Sequence, residues 1–192
     1  MKKYGVLLVL ILSFFLNACS TQKPTEQIDK NVKISSIRVA YAYADNYAKR
    51  NLGDKYVLHS IEGKHDKDFN GEIKFIYTKR VEHSPDGYFV IVDTVNNEIK
   101  YDYWPDAHRV FVGNQHIKIE SWDFNIETAL TAALELGIDY DEIRWNTVFE
   151  DRIAVSFYKN GEEIEHLIYN TFTAERITDK QVYIPDFIQN QK

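Results

Sequence analysis

Two segments of this 192-residue chain carry the same short signals in the same order, and that order limits the folds open to it. Leu52-Gly53-Asp54-Lys55-Tyr56 and Leu136-Gly137-Ile138-Asp139-Tyr140 share the pattern Leu-Gly-x-x-Tyr. Further along, Asp93-Thr94-Val95-Asn96-Asn97-Glu98 parallels Asn170-Thr171-Phe172-Thr173-Ala174-Glu175. The offset is 84 residues at the first match and 77 at the second, so the second copy is the shorter one. Ordered matches of this kind indicate an internal repeat.

Each unit opens with a predicted helix. In the first unit Ser35 or Ser36 is placed to cap the N-terminus, and Gly53 suits the C-terminal end. In the second unit Asn125 is the predicted cap and Gly137 the predicted end. Apolar residues recur at helical spacing in both. They are Ile37, Ala40, Tyr41, Ala44, Tyr47, Ala48 and Leu52 in the first, and Ile126, Ala129, Leu130, Ala133 and Leu136 in the second.

Three strands are predicted after each helix, because apolar residues alternate there. The segments are Ile73–Tyr77, Phe89–Ile91 and Ile99–Tyr103 in the first unit, and Ile143–Phe149, Ile153–Phe157 and Ile164–Tyr169 in the second. Asp86-Gly87, Asn96-Asn97 and Asn160-Gly161 are placed to turn between strands. The predicted fold class is α+β, with two helix-on-antiparallel-sheet units of order α-β-β-β. One helix covers one face of each sheet and leaves the other face open.

The N-terminus predicts export and lipidation at Cys19, the only cysteine in the chain. Two lysines precede the apolar run Val6–Leu16, which is too short for a stable membrane span. Leu16-Asn17-Ala18-Cys19 resembles the lipobox of bacterial lipoproteins, which implies a lipid on the Cys19 sulfur and cleavage before it. An ordinary secreted protein with one leftover thiol is the alternative.

The predicted organisation follows from these signals. Ser20–Lys33 is polar and is expected to form a flexible tether, and Arg109–Val112 with Ile117–Ile119 around Gly113-Asn114 predicts a hairpin. Val182, Ile184, Phe187 and Ile188 are expected to dock on the fold. The predicted boundaries are 1–18 for the signal peptide, 19–33 for the lipidated cysteine and tether, 34–105 for unit 1, 106–188 for the hairpin and unit 2, and 189–192 for the tail.

The net negative charge of the chain limits the classes of partner that it can bind. Loss of residues 1–18 removes Lys2 and Lys3 and takes the formal charge from −6 to −8. A chain this acidic is a poor ligand for nucleic acid or for anionic headgroups, so the lipid must supply the membrane attachment. The expected location is the bacterial cell envelope, on the extracytoplasmic side of a membrane.

The order of helix, strands and turn resembles the PepSY domain. The matching pieces are Leu52-Gly53, Val90–Thr94 and Glu98-Ile99 with their counterparts in the second unit, and the resemblance covers most of residues 35 to 178. Asn97 and Ala174 stand where the family has a glycine. The resemblance implies an exported bacterial module, proposed in that family to restrain peptidases, with no catalytic residues to carry over. The tandem arrangement is also similar to beta-lactamase-inhibitor-type proteins, in which two such units form one concave sheet.

Motifs for enzymatic or metal chemistry are missing from the sequence. There is no nucleophile elbow, zinc-protease motif or phosphate-binding glycine loop. His65-Asp66-Lys67-Asp68 is expected to be a solvated turn and Asp139-Tyr140-Asp141-Glu142 an acidic loop, and the histidines are scattered without ligand spacing. The expectation is a non-enzymatic protein without cofactor or metal.

The leading hypothesis is a surface-tethered module that binds another exported protein, with restraint of a peptidase as one role. Aromatic residues carry much of the energy of protein interfaces. The predicted anchors on the open sheet face or a shared groove are Tyr77, Tyr101, Tyr103, Trp104 and Trp145. Simple core packing of the same residues is the alternative for each. Two other functions stay open: an envelope enzyme or small-ligand or metal binder acting on cell-wall material, and a structural accessory in envelope assembly.

Overall fold

A single antiparallel sheet organises the chain and carries both helices on one face. The computed structural model describes residues 25–79, 87–104 and 117–178. The elements are β1 (Glu26–Gln27), α1 (Ile37–Asn51), β2 (Tyr56–His65), β3 (Gly71–Lys79), β4 (Gly87–Asp93), β5 (Glu98–Trp104), a 3₁₀ turn (Ile119–Ser121), α2 (Ile126–Glu135), β6 (Glu142–Phe149), β7 (Arg152–Lys159) and β8 (Glu162–Asn170). The strand order is β1-β5-β4-β3-β2-β6-β7-β8. The predicted α+β class is confirmed.

Local capping chemistry positions both helices. The Ser36 hydroxyl accepts a hydrogen bond from the Val39 backbone N–H at 3.3 Å, and the Asn125 side chain accepts one from the Ile126 N–H at 2.8 Å. Gly53 and Gly137 follow the helices with φ of +83° and +67°, the left-handed conformation that ends a helix at low steric cost. The predicted helix starts and ends are confirmed.

The two halves of the sheet join through β2 and β6. The first half comprises α1 and β1 to β5, and the second comprises α2 and β6 to β8. The β2–β6 pairing has four residue pairs, Glu62–His65 with Ile143–Asn146, whereas β2 and β3 share nine. We call this β2–β6 junction the seam. Next to the paired residues the Thr147 hydroxyl accepts a hydrogen bond from the Ile61 N–H at 3.0 Å, so a side chain extends the seam.

Strand β2 is absent from the sequence prediction. Its residues do not alternate cleanly, since Gly63 carries no side chain and the register shifts between Leu58 and Ser60. The strand also ends at His65, inside the stretch His65–Asp68 that is predicted to be a turn. The first half therefore has β2 in addition to the three predicted strands.

Part of the predicted tether Ser20–Lys33 belongs to the sheet. Glu26 and Gln27 pair with Ile99 and Glu98 of β5, and Ile28 and Ile34 are buried. Residues 26–28 therefore belong to the fold, although they lie in the segment predicted to be a flexible tether, because they pair with β5 and Ile28 reaches the core.

The segment before α2 also differs from expectation. Ile117–Ile119 is predicted to be a strand of a hairpin, but Ile119 begins a 3₁₀ turn and both isoleucines are buried. The Ile117 N–H donates to the Leu58 carbonyl at 3.1 Å, and the Arg38 guanidinium donates to the Trp122 carbonyl. The segment thereby ties β2 and α1 to the start of α2.

The core lies between the sheet and the helices. On the first half the Tyr41 ring of α1 lies 6.0 Å from the Phe75 ring of β3. On the second half Ala129 and Ala133 of α2 are fully buried in the same cluster as Trp145. Small residues on both helices let the backbones approach the sheet closely.

Several predicted features lie outside the described residues. They are the signal peptide 1–18, lipidation at Cys19, Asp86 of the predicted Asp86-Gly87 turn, the first hairpin strand Arg109–Val112 with Gly113-Asn114, and the tail residues 182–192. Among the described helices none is long and apolar enough to cross a membrane.

Candidate functional site: the open face of the sheet

Two of the predicted binding residues belong to the core. Tyr77 is 2% exposed and Trp145 is 1% exposed, and both point to the helix-covered face of the sheet. A partner cannot reach either side chain without displacing a helix. The docking role predicted for them is therefore corrected to core packing, the alternative that the sequence also allowed.

Tyr101 and Tyr103 lie on this same helix-covered face. The Tyr101 ring is 6.2 Å from that of Tyr47 in α1, and the Tyr88 ring lies 5.6 Å from Tyr101 and 5.4 Å from Tyr103. Tyr103 is 47% exposed, because it sits where the helix no longer covers the strand. These tyrosines line the end of the core instead of the open face.

Trp104 is the one predicted anchor on the open face. It follows Tyr103 in the same strand, and successive strand residues point to opposite faces. Its indole stacks on the Phe89 ring of β4, with centroids 4.9 Å apart and an interplanar angle of 21°. Trp104 pairs across the strands with Gly87, whose missing side chain leaves room for the indole. Both rings are half-buried.

Apolar neighbours extend this pair into a small patch. Ile76 pairs with Phe89 across β3 and β4, and Ile91 lies two residues further along β4 on the same face. We call Ile76, Phe89, Ile91 and Trp104 the aromatic corner. The sequence marks Phe89 only as a strand residue, because the stacking depends on the register between β4 and β5.

Ion pairs between strands line the open face beside the aromatic corner. The Lys74 ammonium lies 3.1 Å from the Glu62 carboxylate, Lys64 lies 3.0 Å from Glu142, and Lys100 lies 3.8 Å from Glu72. The first two pairs join neighbouring strands, whereas Lys100 on β5 reaches Glu72 on β3 across β4. The face beside the aromatic corner is therefore charged and largely self-neutralised.

Arg144 and Glu142 lie on this charged surface and contact each other. The Arg144 guanidinium lies 4.1 Å from the centroid of the Tyr158 ring and 2.6 Å from the Glu142 carboxylate. Burial opposes ionisation of Glu142, but the hydrogen bonds from Lys64 and Arg144 outweigh it and lower its pKa. Glu142 thus stays charged and keeps the seam cross-linked on the open side.

On the helix-covered side the seam also carries a buried hydrogen bond between two side chains. The Trp145 indole N–H donates to His65 Nε2 at 2.9 Å, and His65 Nδ1 lies 2.9 Å from the Asp66 carbonyl oxygen. These partners require a neutral imidazole with its proton on Nδ1. Burial lowers the pKa of His65, although its bond to the Asp66 carbonyl works against that shift.

The two acidic motifs hold loops in place. Asp66 accepts backbone N–H bonds from Asp68 at 2.8 Å and Asn70 at 2.9 Å, which closes the loop between β2 and β3. Asp139 pairs with Lys159 at 3.2 Å, and Asp141 accepts the Asn160 N–H at 2.9 Å. Among the described residues no three His, Cys, Asp or Glu side chains group as metal ligands.

A groove of about 430 Å³ lies between α1 and the N-terminal strand. Its charged walls are already paired, since Arg50 donates two hydrogen bonds to Glu26 at 2.8 and 2.9 Å. The remaining lining is Gln27, Ile28, Asp29, Tyr43, Asn46, Lys49 and Ile99.

Comparison with known proteins adds no relative. No protein-family model, curated protein or solved structure matches the chain.

Proposed function

We propose that this protein is a non-enzymatic binding module whose open sheet face docks another exported protein. The observation that carries the proposal is the stacked Phe89–Trp104 pair on the face opposite both helices. A half-buried aromatic pair beside a charged surface is the composition of an interface hot spot with its polar rim. Lipid on Cys19 would hold the module at the extracytoplasmic surface of a bacterial membrane.

The two-unit PepSY-like repeat is part of the proposal. Two turns support it: Asp93 accepts the N–H groups of Val95 and Asn96, and Asn170 accepts those of Phe172 and Thr173. The fifth residue of each turn has positive φ, 52° at Asn97 and 58° at Ala174. These are the positions where the PepSY pattern has glycine, which reaches that conformation most readily.

The threonines that follow Asp93 and Asn170 also make equivalent backbone hydrogen bonds. The Thr94 N–H donates to the Gly71 carbonyl and the Thr171 N–H donates to the Asp151 carbonyl, both at 2.9 Å. Gly71 begins β3 and Asp151 precedes β7, so the two turns occupy the same place in each half. Through the PepSY resemblance, restraint of an exported peptidase is the role we propose for docking.

Site-specific photo-crosslinking in cells tests the docking face. A photoreactive residue at Ile91 on the open face is expected to form an adduct with a second exported protein. The matched control is Leu134 on α2, which is 83% exposed on the helix side and is expected to form none. Adducts at Leu134 but not at Ile91 would overturn the assignment of the docking face.

The partner recovered at Ile91 then allows a binding measurement. The double variant Phe89→Ala with Trp104→Ala is expected to bind more weakly, with a dissociation constant raised about tenfold or more, as for hot-spot residues. Tyr103→Ala is the control, because Tyr103 is exposed beside Trp104 on the other face. Circular dichroism should be unchanged in the double variant, whose two rings lie on the open face, and it also checks that Tyr103→Ala keeps its fold after losing the contact with Tyr88.

Attachment to the membrane has a separate test. Cys19→Ser is expected to release the protein from the membrane fraction and to abolish incorporation of a labelled fatty acid. Retention of the Cys19→Ser protein in membranes would contradict lipid anchoring.

A further inference from the structure

The pairing of β1 with β5 places the folded protein close to its lipid anchor. Thr25 is the first described residue, only six peptide steps from Cys19. Whatever conformation the intervening residues adopt, six steps reach at most about 21 Å, and a flexible chain of that length averages about 13 Å. Part of this reach is used in crossing the headgroup layer, which is about 6 Å deep on each side of a bilayer.

The described surface near Thr25 presents two lysines without an ion-pair partner among the described residues. Lys30 and Lys33 are exposed, and among the described residues neither lies within ion-pair distance of a carboxylate. Among the nearby acids Glu26 is ion-paired with Arg50, whereas Asp29 and Glu98 bond to the uncharged Asn31 and Gln27 and keep their negative charge. The edge of the sheet at β1 therefore offers unpaired cations although the whole chain is acidic.

The opposite edge of the sheet, at β8, is acidic. Glu162, Glu163 and Glu165 of β8 are all exposed, and Ile164 between them is 45% exposed. Seven strand spacings separate β1 from β8, which is roughly 33 Å. An anionic membrane surface repels the β8 edge and meets two unpaired lysines at the β1 edge.

From the short connection and this charge separation we propose that the β1 edge is a membrane-facing surface. The occupant is the layer of anionic phospholipid headgroups, contacted by Lys30 and Lys33. The sheet then stands edge-on to the bilayer with β8 outermost, and its open face points sideways toward partners at the same membrane. The proposal rests on the lipid at Cys19 that the proposed function includes.

Quenching by headgroup-attached nitroxide lipids tests this orientation in the full lipidated protein. Because the native cysteine is lipidated, single cysteines introduced as Asn31→Cys and Ile164→Cys can be labelled selectively; both positions are exposed. In vesicles of phosphatidylethanolamine and phosphatidylglycerol, the dye at residue 31 is expected to lose most of its fluorescence. The dye at residue 164 is expected to keep nearly all of it.

Two further changes distinguish the effect of the short connection on quenching from the effect of the lysine charges. An insertion of about twenty Gly and Ser residues after Pro24 raises the average reach from about 13 Å to about 28 Å and is expected to weaken quenching at residue 31. Lys30→Glu with Lys33→Glu is expected to weaken it in anionic vesicles and to change it little in pure phosphatidylcholine. Equal quenching at residues 31 and 164, no effect of both changes, or protein that does not bind the vesicles overturns the proposal. If the proposed docking face is wrong, the result is instead unchanged partner binding in the Phe89 and Trp104 variants.

Discussion

The two faces of the sheet use aromatic residues in opposite ways. On the helix-covered face Phe75, Trp145 and Phe157 are at most 1% exposed and supply the core. On the open face Phe89 and Trp104 stack on each other half-exposed, beside ion-paired lysines and glutamates. Stability is therefore concentrated on one face, which leaves the other free to carry recognition. Substitutions at neighbouring positions of the same strand should separate these roles.

The largest expected effect is on the helix-covered side of the seam, at Gly63. A Cβ atom there would lie 2.2 Å from the Trp145 indole, which has no room to move in the core. Gly63→Ala is expected to lower the free energy of unfolding by about 3 kcal/mol, measured by urea denaturation. Lys64→Ala is the control on the open face and should cost less than about 1 kcal/mol. Equal costs would show that the two faces do not differ as described.

A smaller effect is expected from removing one buried hydrogen bond. Trp145→Phe keeps an aromatic ring but leaves His65 Nε2 without its donor, which should cost about 1–2 kcal/mol of unfolding free energy. Tyr158→Phe is the matched change on the open face, where the hydroxyl donates to Glu163 at 3.0 Å in contact with solvent. Its cost should stay below about 0.5 kcal/mol. A larger loss in Tyr158→Phe would reverse the comparison.

The same contact predicts a pH dependence. Burial lowers the pKa of His65 below its usual value of 6.5, so the unfolded chain takes up a proton that the native protein resists. This contribution is complete above pH 6.5 and is lost as the pH falls toward the native pKa, with a slope of up to about 1.4 kcal/mol per pH unit. His65→Gln should flatten the slope of unfolding free energy between pH 6.5 and 5. An unchanged slope would exclude His65 as its source.

The smallest effect is expected from the ion pairs of the open face. Lys74 and Glu62 lie 3.1 Å apart, but both side chains are about 40% exposed, at 39% and 42%. Lys74→Ala should change the unfolding free energy by less than about 0.5 kcal/mol, and added salt should erase the difference. A cost above about 1 kcal/mol would mean that the open face also stabilises the fold.

Sequence patterns predict some of these features well. The Asn160-Gly161 turn has φ of 52° and 83°, the conformation that this pair favours in a tight hairpin. The strands from β3 to β8 coincide with runs of alternating apolar residues. In contrast β2 is missed, because Gly63 interrupts its alternation and its interior pairs on both sides with other strands.

The candidate site is only partly predictable for a related reason. Tyr101, Tyr103 and Trp104 all occur in one strand, and sequence alone does not say which face a helix will cover. The stacking of Trp104 on Phe89 needs the register that places Trp104 opposite Gly87. Residues 26–28 were missed because a two-residue strand leaves almost no periodic signal.

The sequence by itself determined the helix caps, the turns and the α+β class, and it marked Cys19 as the expected anchor. Those features depend on hydrogen bonds and backbone preferences within a few residues. Only the tertiary structure decided that β2 and β6 join the halves, that Trp145 is buried while Trp104 is half-exposed, and that β1 shortens the connection to Cys19. Each of these depends on which distant strand lies alongside, because strand pairing and burial are fixed jointly by segments far apart in the chain.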